Sequence, residues 1–170
     1  MTDAPTVLTV GHSTHPIETF IALLEKNGVT AIADVRSSPY SRFNPQFNRE
    51  TLAASLKEHG IRYVYLGKEL GARADDPGCY LDGRVQYDRL ARRPEFREGI
   101  ERVKRGSRDH RIALMCAEKE PLDCHRTILV SRALEADGVP VTHILADGAT
   151  EPHAATMDRL IDVAGLQRND

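Results

Sequence analysis

The densest group of reactive side chains runs from Cys116 to Arg126. A strand is predicted before this run and a helix after it, and the first turn of a helix offers free N–H groups and a positive dipole end that favour an anion. Arg126 adds donors that match phosphate, sulfate or carboxylate. The same field lowers the pKa of a nearby thiol, so Cys124 is a candidate thiolate with His125 as its acid-base partner.

Other interpretations of the cysteines stay open at this point. Cys116 ends an apolar strand, where a free cysteine often behaves as a small buried hydrophobe. Cys124 could be an inert thiol, or it could form a redox pair with Cys116. A metal site made of Cys116, Cys124, His125 and His12 is a further alternative, although the spacing lacks a C-x-x-C pair and no metal ligand is predicted.

A second polar group, Asp34-Val35-Arg36, ends the second predicted strand. Alternation places Asp34 and Arg36 on the same face of that strand. They are interpreted as an orienting carboxylate and an anion clamp, or alternatively as an ion pair that closes the sheet. His12, which follows Gly11 at the end of the first strand, is a candidate acid-base group or a loop hydrogen-bonding residue, with Ser13 beside it.

The segment 37–44, SSPYSRFN, mixes hydroxyls, an arginine and aromatic rings. It could cover a ligand or stack on a base, or it could be a solvated surface loop. The predicted catalytic residues are Cys116, Cys124, His125, His12 and Asp34, and the predicted substrate-binding residues are Arg36, Arg126, Ser13, Glu118 and Arg42.

Apolar runs that alternate with amphipathic segments predict the elements that position these groups. Strands are predicted at 6–10, 29–35, 61–66, 111–116 and 139–145. Helices are predicted from Pro16 to about 27, from an Asn48 N-cap to 59, from 87 to 104 with an interruption near Pro94, from 124 to 137 and from 150 to 164. A long loop is expected at 67–87. The pattern indicates one α/β domain over 1–170, with three layers and a mostly parallel sheet of about five strands.

Ligands bind at the carboxyl ends of the strands in such sheets. The polar groups that follow the predicted strands are therefore expected to converge at one edge, although the sequence scatters them. These groups are Gly11-His12-Ser13, Asp34-Val35-Arg36, Gly67 and Cys116-Ala117-Glu118.

Composition excludes several classes of protein. No apolar run approaches the roughly 18 residues that a membrane span needs. The first ten residues lack a secretory pattern, and the three cysteines are an odd number, so a cytoplasmic location with reduced thiols is expected. A net charge of −2 argues against a general duplex-DNA binder. The cofactor and the oligomeric state are not predicted.

With these motifs in place, the chain resembles the domain of unknown function 488 family of small prokaryotic proteins. The likeness covers nearly the whole chain. It rests on Gly11-His12-Ser13, Asp34-Val35-Arg36, Pro39, Ser41, Phe43, Gly60-Ile61, Tyr63, Leu66-Gly67, Leu70-Gly71, Cys116-Ala117-Glu118 and Cys124-His125-Arg126. Ala72 stands where the family usually has a second glycine. The resemblance implies that the motif residues form one site, and it implies no substrate.

A weaker likeness to rhodanese-type and thiol-phosphatase domains rests on the Asp-x-Arg after an early strand and on a strand that ends in Cys. The loop from Cys116 to Arg126 is longer than in those domains and lacks a run of glycines. The favoured hypothesis is an enzyme that acts on an anionic small molecule or nucleotide. The alternatives are a non-catalytic module that binds a ligand or single-stranded nucleic acid, and a metal-binding protein.

Overall fold

The computed structural model describes residues 6–70, 80–81, 84–85, 92–118 and 125–164. Its main feature is a six-stranded sheet, whose strands are β1 Val7–Gly11, β2 Ala31–Asp34, β3 Arg62–Tyr65, β6 Ile112–Cys116, β7 Val141–Ile144 and β8 Thr150–Pro152. A separate antiparallel pair consists of β4 Tyr80–Leu81 and β5 Arg84–Val85. The order in the large sheet is β3-β2-β6-β1-β7-β8; the first five strands in that order run parallel, and β8 is antiparallel to β7.

Six α-helices accompany the strands among the described residues. Their bounds are α1 Ile17–Lys26, α2 Arg49–Glu58, α3 Gly67–Leu70, α4 Pro94–Gly106, α5 His125–Ala136 and α6 His153–Ala164, and a 3₁₀ turn covers Pro45–Phe47. None of the described helices combines the length and the apolar character needed to cross a membrane.

Two apolar clusters show which helices cover each face of the sheet. Alternate residues of a strand point to opposite faces, so Leu8 and Val10 pack with α1 and α2 while Val7 packs on the other side with α4 and α5. Ile32 of β2 lies on the α1/α2 face, and Ala33 lies on the α4/α5 face. The predicted three-layer α/β architecture with a mostly parallel sheet is therefore confirmed.

Several predicted bounds were wrong for physical reasons. The last helix was predicted from 150, but residues 150–152 pair with β7 as a sixth described strand, and α6 begins at His153. The predicted loop 67–87 contains the short helix α3 and the β4/β5 pair. For the helix predicted over 87–104 with an interruption near Pro94, residues 87–91 lie outside the described residues, and α4 begins at Pro94, since proline lacks an N–H and is tolerated in a first helical turn.

The strand order places the candidate site. The chain moves outward from β1 through β2 to β3, and then returns to insert β6 between β2 and β1 before it continues to β7. Ligand crevices of open α/β sheets lie where the strand order reverses in this way, at the carboxyl ends of the strands. The segments that follow β1, β2 and β6 meet at that reversal.

Candidate functional site

Backbone hydrogen bonds join the ends of β1, β2 and β6. The N–H groups of His12 and Ser13 donate to the carbonyls of Cys116 and Ala117, at 2.9 and 3.0 Å. The N–H of Val35 donates to the carbonyl of Met115 at 3.1 Å. Residues that are about a hundred positions apart in sequence are therefore neighbours at the carboxyl edge, as the alternating pattern predicted.

Ser13 has a strained backbone at this edge. Its φ of 49° makes it the one non-glycine with positive φ in the described part of the chain. An L residue in this region costs roughly 1 kcal/mol or more, and such strain persists where the surroundings over-determine it. The hydrogen bonds to Cys116 and Ala117, together with the contact between His12 Nδ1 and the Ser13 carbonyl, hold this turn in place.

Asp34 and Arg36 form a buried bidentate ion pair, with side chains 0% and 3% exposed. Arg36 Nε donates to Asp34 Oδ1 at 2.9 Å, and Nη2 donates to Oδ2 at 2.8 Å. Nη2 also donates to the carbonyl of Phe47 at 2.8 Å. The two side chains lie on the same face of the sheet, the α1/α2 face, as alternation predicted, and their charges neutralise each other.

Tyr63 of β3 completes the surroundings of the carboxylate. Its hydroxyl donates to Asp34 Oδ2 at 2.5 Å. Burial, reinforced by this hydrogen bond, raises the pKa of Tyr63 far above its usual value, so the phenol stays protonated.

The backbone of Gly67 packs so tightly at this edge that a Cβ would overlap the Arg36 carbonyl and the Tyr65 ring.

His12 is buried with both ring nitrogens engaged. Nδ1 lies 2.8 Å from the carbonyl of Ser13, and Nε2 lies 3.3 Å from Arg36 Nη1. The ring stacks on Phe47 with centroids 4.4 Å apart. Burial, opposed by the hydrogen bond to Ser13 and assisted by the Arg36 charge, lowers the pKa of His12 to about 4. At neutral pH the ring is therefore uncharged.

His15 is a residue that the sequence analysis missed. Its Nε2 atom is buried and has no hydrogen-bond partner among the described residues, while its carbonyl accepts from Gln46 Nε2 at 2.9 Å. A buried polar atom without a partner is uncommon and calls for an explanation. No sequence pattern singled out this histidine, although it lies only three residues after His12.

Cys116 lies in the interior with 3% of its surface exposed. It belongs to the apolar cluster on the α4/α5 face, together with Val35 and Val130. Its Sγ atom donates a weak hydrogen bond to the carbonyl oxygen of Glu118 at 3.6 Å. Residue Glu118 is half-buried. These surroundings are those of a small buried hydrophobe.

The remaining residues of the predicted thiol site lie outside this description. Cys124 is not among the described residues, and for His125 and Arg126 only the backbone is described, at the start of α5. Their roles stay predictions. Among the side chains that are described, no group of three His, Cys, Asp or Glu is arranged to hold a metal ion.

The segment after β2 is held from inside and presents aromatic rings outward. The N–H of Ser41 donates to Asn48 Oδ1 at 2.7 Å, so Asn48 secures this loop although it makes no side-chain bond at the start of α2. Tyr40 and Phe43 are 54% and 86% exposed. The guanidinium of Arg42 lies 5.9 Å from the centre of the Phe43 ring.

Comparison with family models identifies the chain. The model described as "Domain of unknown function DUF488" matches residues 16–133. The chain belongs to this family. The DUF488 match includes Asp34, Arg36, Tyr63 and Cys116, whereas His12 precedes it. No curated protein and no solved structure gives a significant match.

Proposed function

We propose that this DUF488 protein is an enzyme that acts on an anionic small molecule or nucleotide at the carboxyl edge of its sheet. The observation that carries the proposal is the buried network of Asp34, Arg36 and His12 at the point where the strand order reverses. A buried ion pair is costly to desolvate, and apolar residues of similar size often replace it without loss of stability, so stability alone does not explain this pair. Because the pair lies at the edge where such sheets bind ligands, we assign it a role in positioning a binding site.

The network is assigned a positioning role. All three guanidinium nitrogens of Arg36 already donate to Asp34, Phe47 or His12. Because His12 is neutral at pH 7, it is assigned the task of orienting Arg36 rather than that of a general acid. The network thereby fixes the segments that carry Ser13 and the loop 37–48 around the proposed crevice.

The groups that contact the substrate are assigned to the surrounding segments. Arg42 and Arg126 are the proposed anion ligands, with Ser13 and Glu118 at the edge of the site. His15 Nε2, which is buried and has no partner among the described residues, supports the proposal that a polar group of the substrate binds near this edge. Because Cys116 faces the apolar core, the proposed reactive pair is Cys124 with His125, the first residue of α5.

A titration of anions tests the binding part of this proposal. Inorganic phosphate, sulfate and a set of nucleoside monophosphates are added to the full chain and followed by calorimetry. At least one of them is expected to bind saturably, and Arg42→Gln and Arg126→Gln each to weaken it at least fivefold. Arg108→Gln is the matched control, because Arg108 is exposed beyond the end of α4. Wild-type affinity in both site variants would contradict the proposal.

Non-catalytic recognition of single-stranded nucleic acid is the second candidate. The exposed rings of Tyr40 and Phe43 beside Arg42 favour it, because bases stack on aromatic rings while arginine pairs with phosphate. Binding of a short oligonucleotide that is lost in Phe43→Ala, with no turnover of any tested nucleotide or ester, would support this candidate. Turnover that survives Phe43→Ala would support the enzyme.

A further inference from the structure

A cavity of about 150 Å³ lies on the α4 face of the sheet, along the edge strand β3. Its floor includes Ala31 and Ala33 of β2, whose side chains are only methyl groups and leave room beneath α4. Val64, Val103 and Ile112 complete an apolar lining. The Asp34–Arg36 network lies on the opposite face of the same sheet, so the cavity is separate from the proposed active site.

The charged side chains that line this cavity, in the part of the chain that the structure describes, are basic. Arg62, Arg102 and His110 line it, and none of the acidic residues described there does. Neither the Arg62 nor the Arg102 guanidinium has a hydrogen-bond or ion-pair partner among the residues the structure describes. Both arginines are exposed, and an anion bound beside them would gain charge-assisted hydrogen bonds.

The combination of shape and charge selects the class of ligand. An apolar cavity of about 150 Å³ in another protein binds benzene, so this cavity can hold an apolar group of about six carbons. A neutral apolar molecule would leave both guanidiniums unpaired, and a cation would be repelled by them. A strongly polar ion such as free phosphate would gain nothing from the alanine and valine lining.

We infer that this cavity is a second binding site, which takes a small amphipathic carboxylate. The apolar group would lie against Ala31, Ala33 and Val64, and the carboxylate would pair with Arg62 and Arg102. Carboxylate and guanidinium match geometrically, because two parallel N–H groups can donate to the two oxygens. This second site involves no residue of the proposed active site. An experiment can therefore contradict the second site without contradicting the proposed function, and the reverse.

Hexanoate is the probe for this site, and hexanol and acetate are the matched comparisons. Each is titrated into the full-length ¹⁵N-labelled protein, and amide shifts are followed by NMR. Hexanoate is expected to shift the amides of Ala33, Val64 and Val103 saturably and to bind at least tenfold more tightly than hexanol or acetate. Hexanol binding as tightly as hexanoate would overturn the assignment of an anion site, and the absence of saturable shifts would overturn the site itself.

Exposed variants locate the carboxylate without disturbing the core. Arg62→Gln combined with Arg102→Gln is expected to weaken hexanoate binding at least tenfold, because both charge-assisted hydrogen bonds are lost. Arg108→Gln, which removes an exposed arginine that does not line the cavity, is expected to leave binding within twofold. Circular dichroism confirms that each variant is folded. Unchanged affinity in the double variant would overturn the inference.

Discussion

His12 Nε2 lies 3.3 Å from Nη1 of Arg36, at the reversal of the strand order. A guanidinium can only donate, so the imidazole must accept this hydrogen bond through its lone pair. Nδ1 therefore carries the proton and donates to the carbonyl of Ser13. This pair of contacts fixes both the tautomer and the charge of His12, and it links the end of β1 to the ion pair of β2.

The tautomer of His12 can be measured directly. Two-bond ¹H–¹⁵N NMR spectra are expected to show the Nδ1–H form at pH 7 and no protonation until the pH approaches about 4. Burial and the Arg36 charge both disfavour the imidazolium. The His12→Gln variant identifies the resonance by its disappearance. A His12 signal that is half protonated at pH 6 or above would show that the ring is not held as described.

The free energy of unfolding should decrease as the pH decreases, because His12 gains a proton more readily in the unfolded chain. Its folded pKa of about 4 lies below the ordinary value of 6.5, so its contribution is complete above pH 6.5 and is lost as the pH falls toward 4. The expected loss over that window is about 3 kcal/mol. The lowered pKa of His153, which is also caused by burial, acts in the same direction.

Urea unfolding at several pH values between 7 and 4 measures this loss. In His12→Gln the fall in the free energy of unfolding should be smaller by up to about 3 kcal/mol, while the share that comes from His153 remains. Glutamine is a useful replacement because its side-chain oxygen can still accept from Arg36. Equal pH slopes for the variant and the wild type would contradict a buried neutral His12.

Removal of the Asp34 charge should destabilise the fold severely. Asp34→Asn leaves Arg36 buried without its counter-ion, and loss of one partner of a buried pair costs about 3–5 kcal/mol. Tyr63→Phe removes one hydrogen bond to the same carboxylate and should cost about 1 kcal/mol. Chemical denaturation measures both variants.

The exposed Asp109 provides the matched control for that charge change. Asp109→Asn should alter the free energy of unfolding by less than about 0.5 kcal/mol, as surface substitutions usually do. If Asp34→Asn lowered the free energy of unfolding no more than Asp109→Asn does, the buried ion pair would not stabilise this edge of the sheet.

Two glycines should respond differently to a methyl group. Gly67→Ala places a Cβ into the Arg36 carbonyl and the Tyr65 ring, and overpacking of this kind costs about 1–3 kcal/mol or more. Gly60→Ala meets nothing within 4 Å, but its φ of +72° adds strain of about 1 kcal/mol. In thermal unfolding, Gly67→Ala should therefore have a lower melting temperature than Gly60→Ala. The reverse order would contradict the tight packing at Gly67.

The fold was predictable because periodicity in sequence records burial. Apart from Thr30, the run 29–35 is buried, on both faces of the sheet, and Phe20 and Leu24 mark the inward side of α1. The antiparallel strand β8 was not predictable in this way. Its three residues, Thr150 to Pro152, are polar or constrained, and only their pairing with β7 makes them a strand.

The candidate site was predictable in part. Alternation placed Asp34 and Arg36 on one face, and the rule for parallel sheets brought His12 to them. Phe47 and Tyr63 were missed as parts of the network, because contacts between distant segments leave no local pattern. The burial of the Cys116 side chain could have been predicted, because strand alternation places it on the same face as Ile112 and Leu114, which are buried.

Thiol reactivity in the native protein tests the proposed function most directly. Iodoacetamide is applied at pH 7 with and without phosphate, sulfate or nucleoside monophosphates, and the rates at Cys116 and Cys124 are resolved by mass spectrometry. Cys116, buried in the apolar cluster, is expected to stay unmodified until the protein unfolds. Cys124 is expected to react rapidly, and at least one anion is expected to protect it fivefold or more. If Cys124 reacts only after unfolding, or if no anion changes its rate, the proposal of a thiol enzyme acting on an anionic substrate at this edge is contradicted.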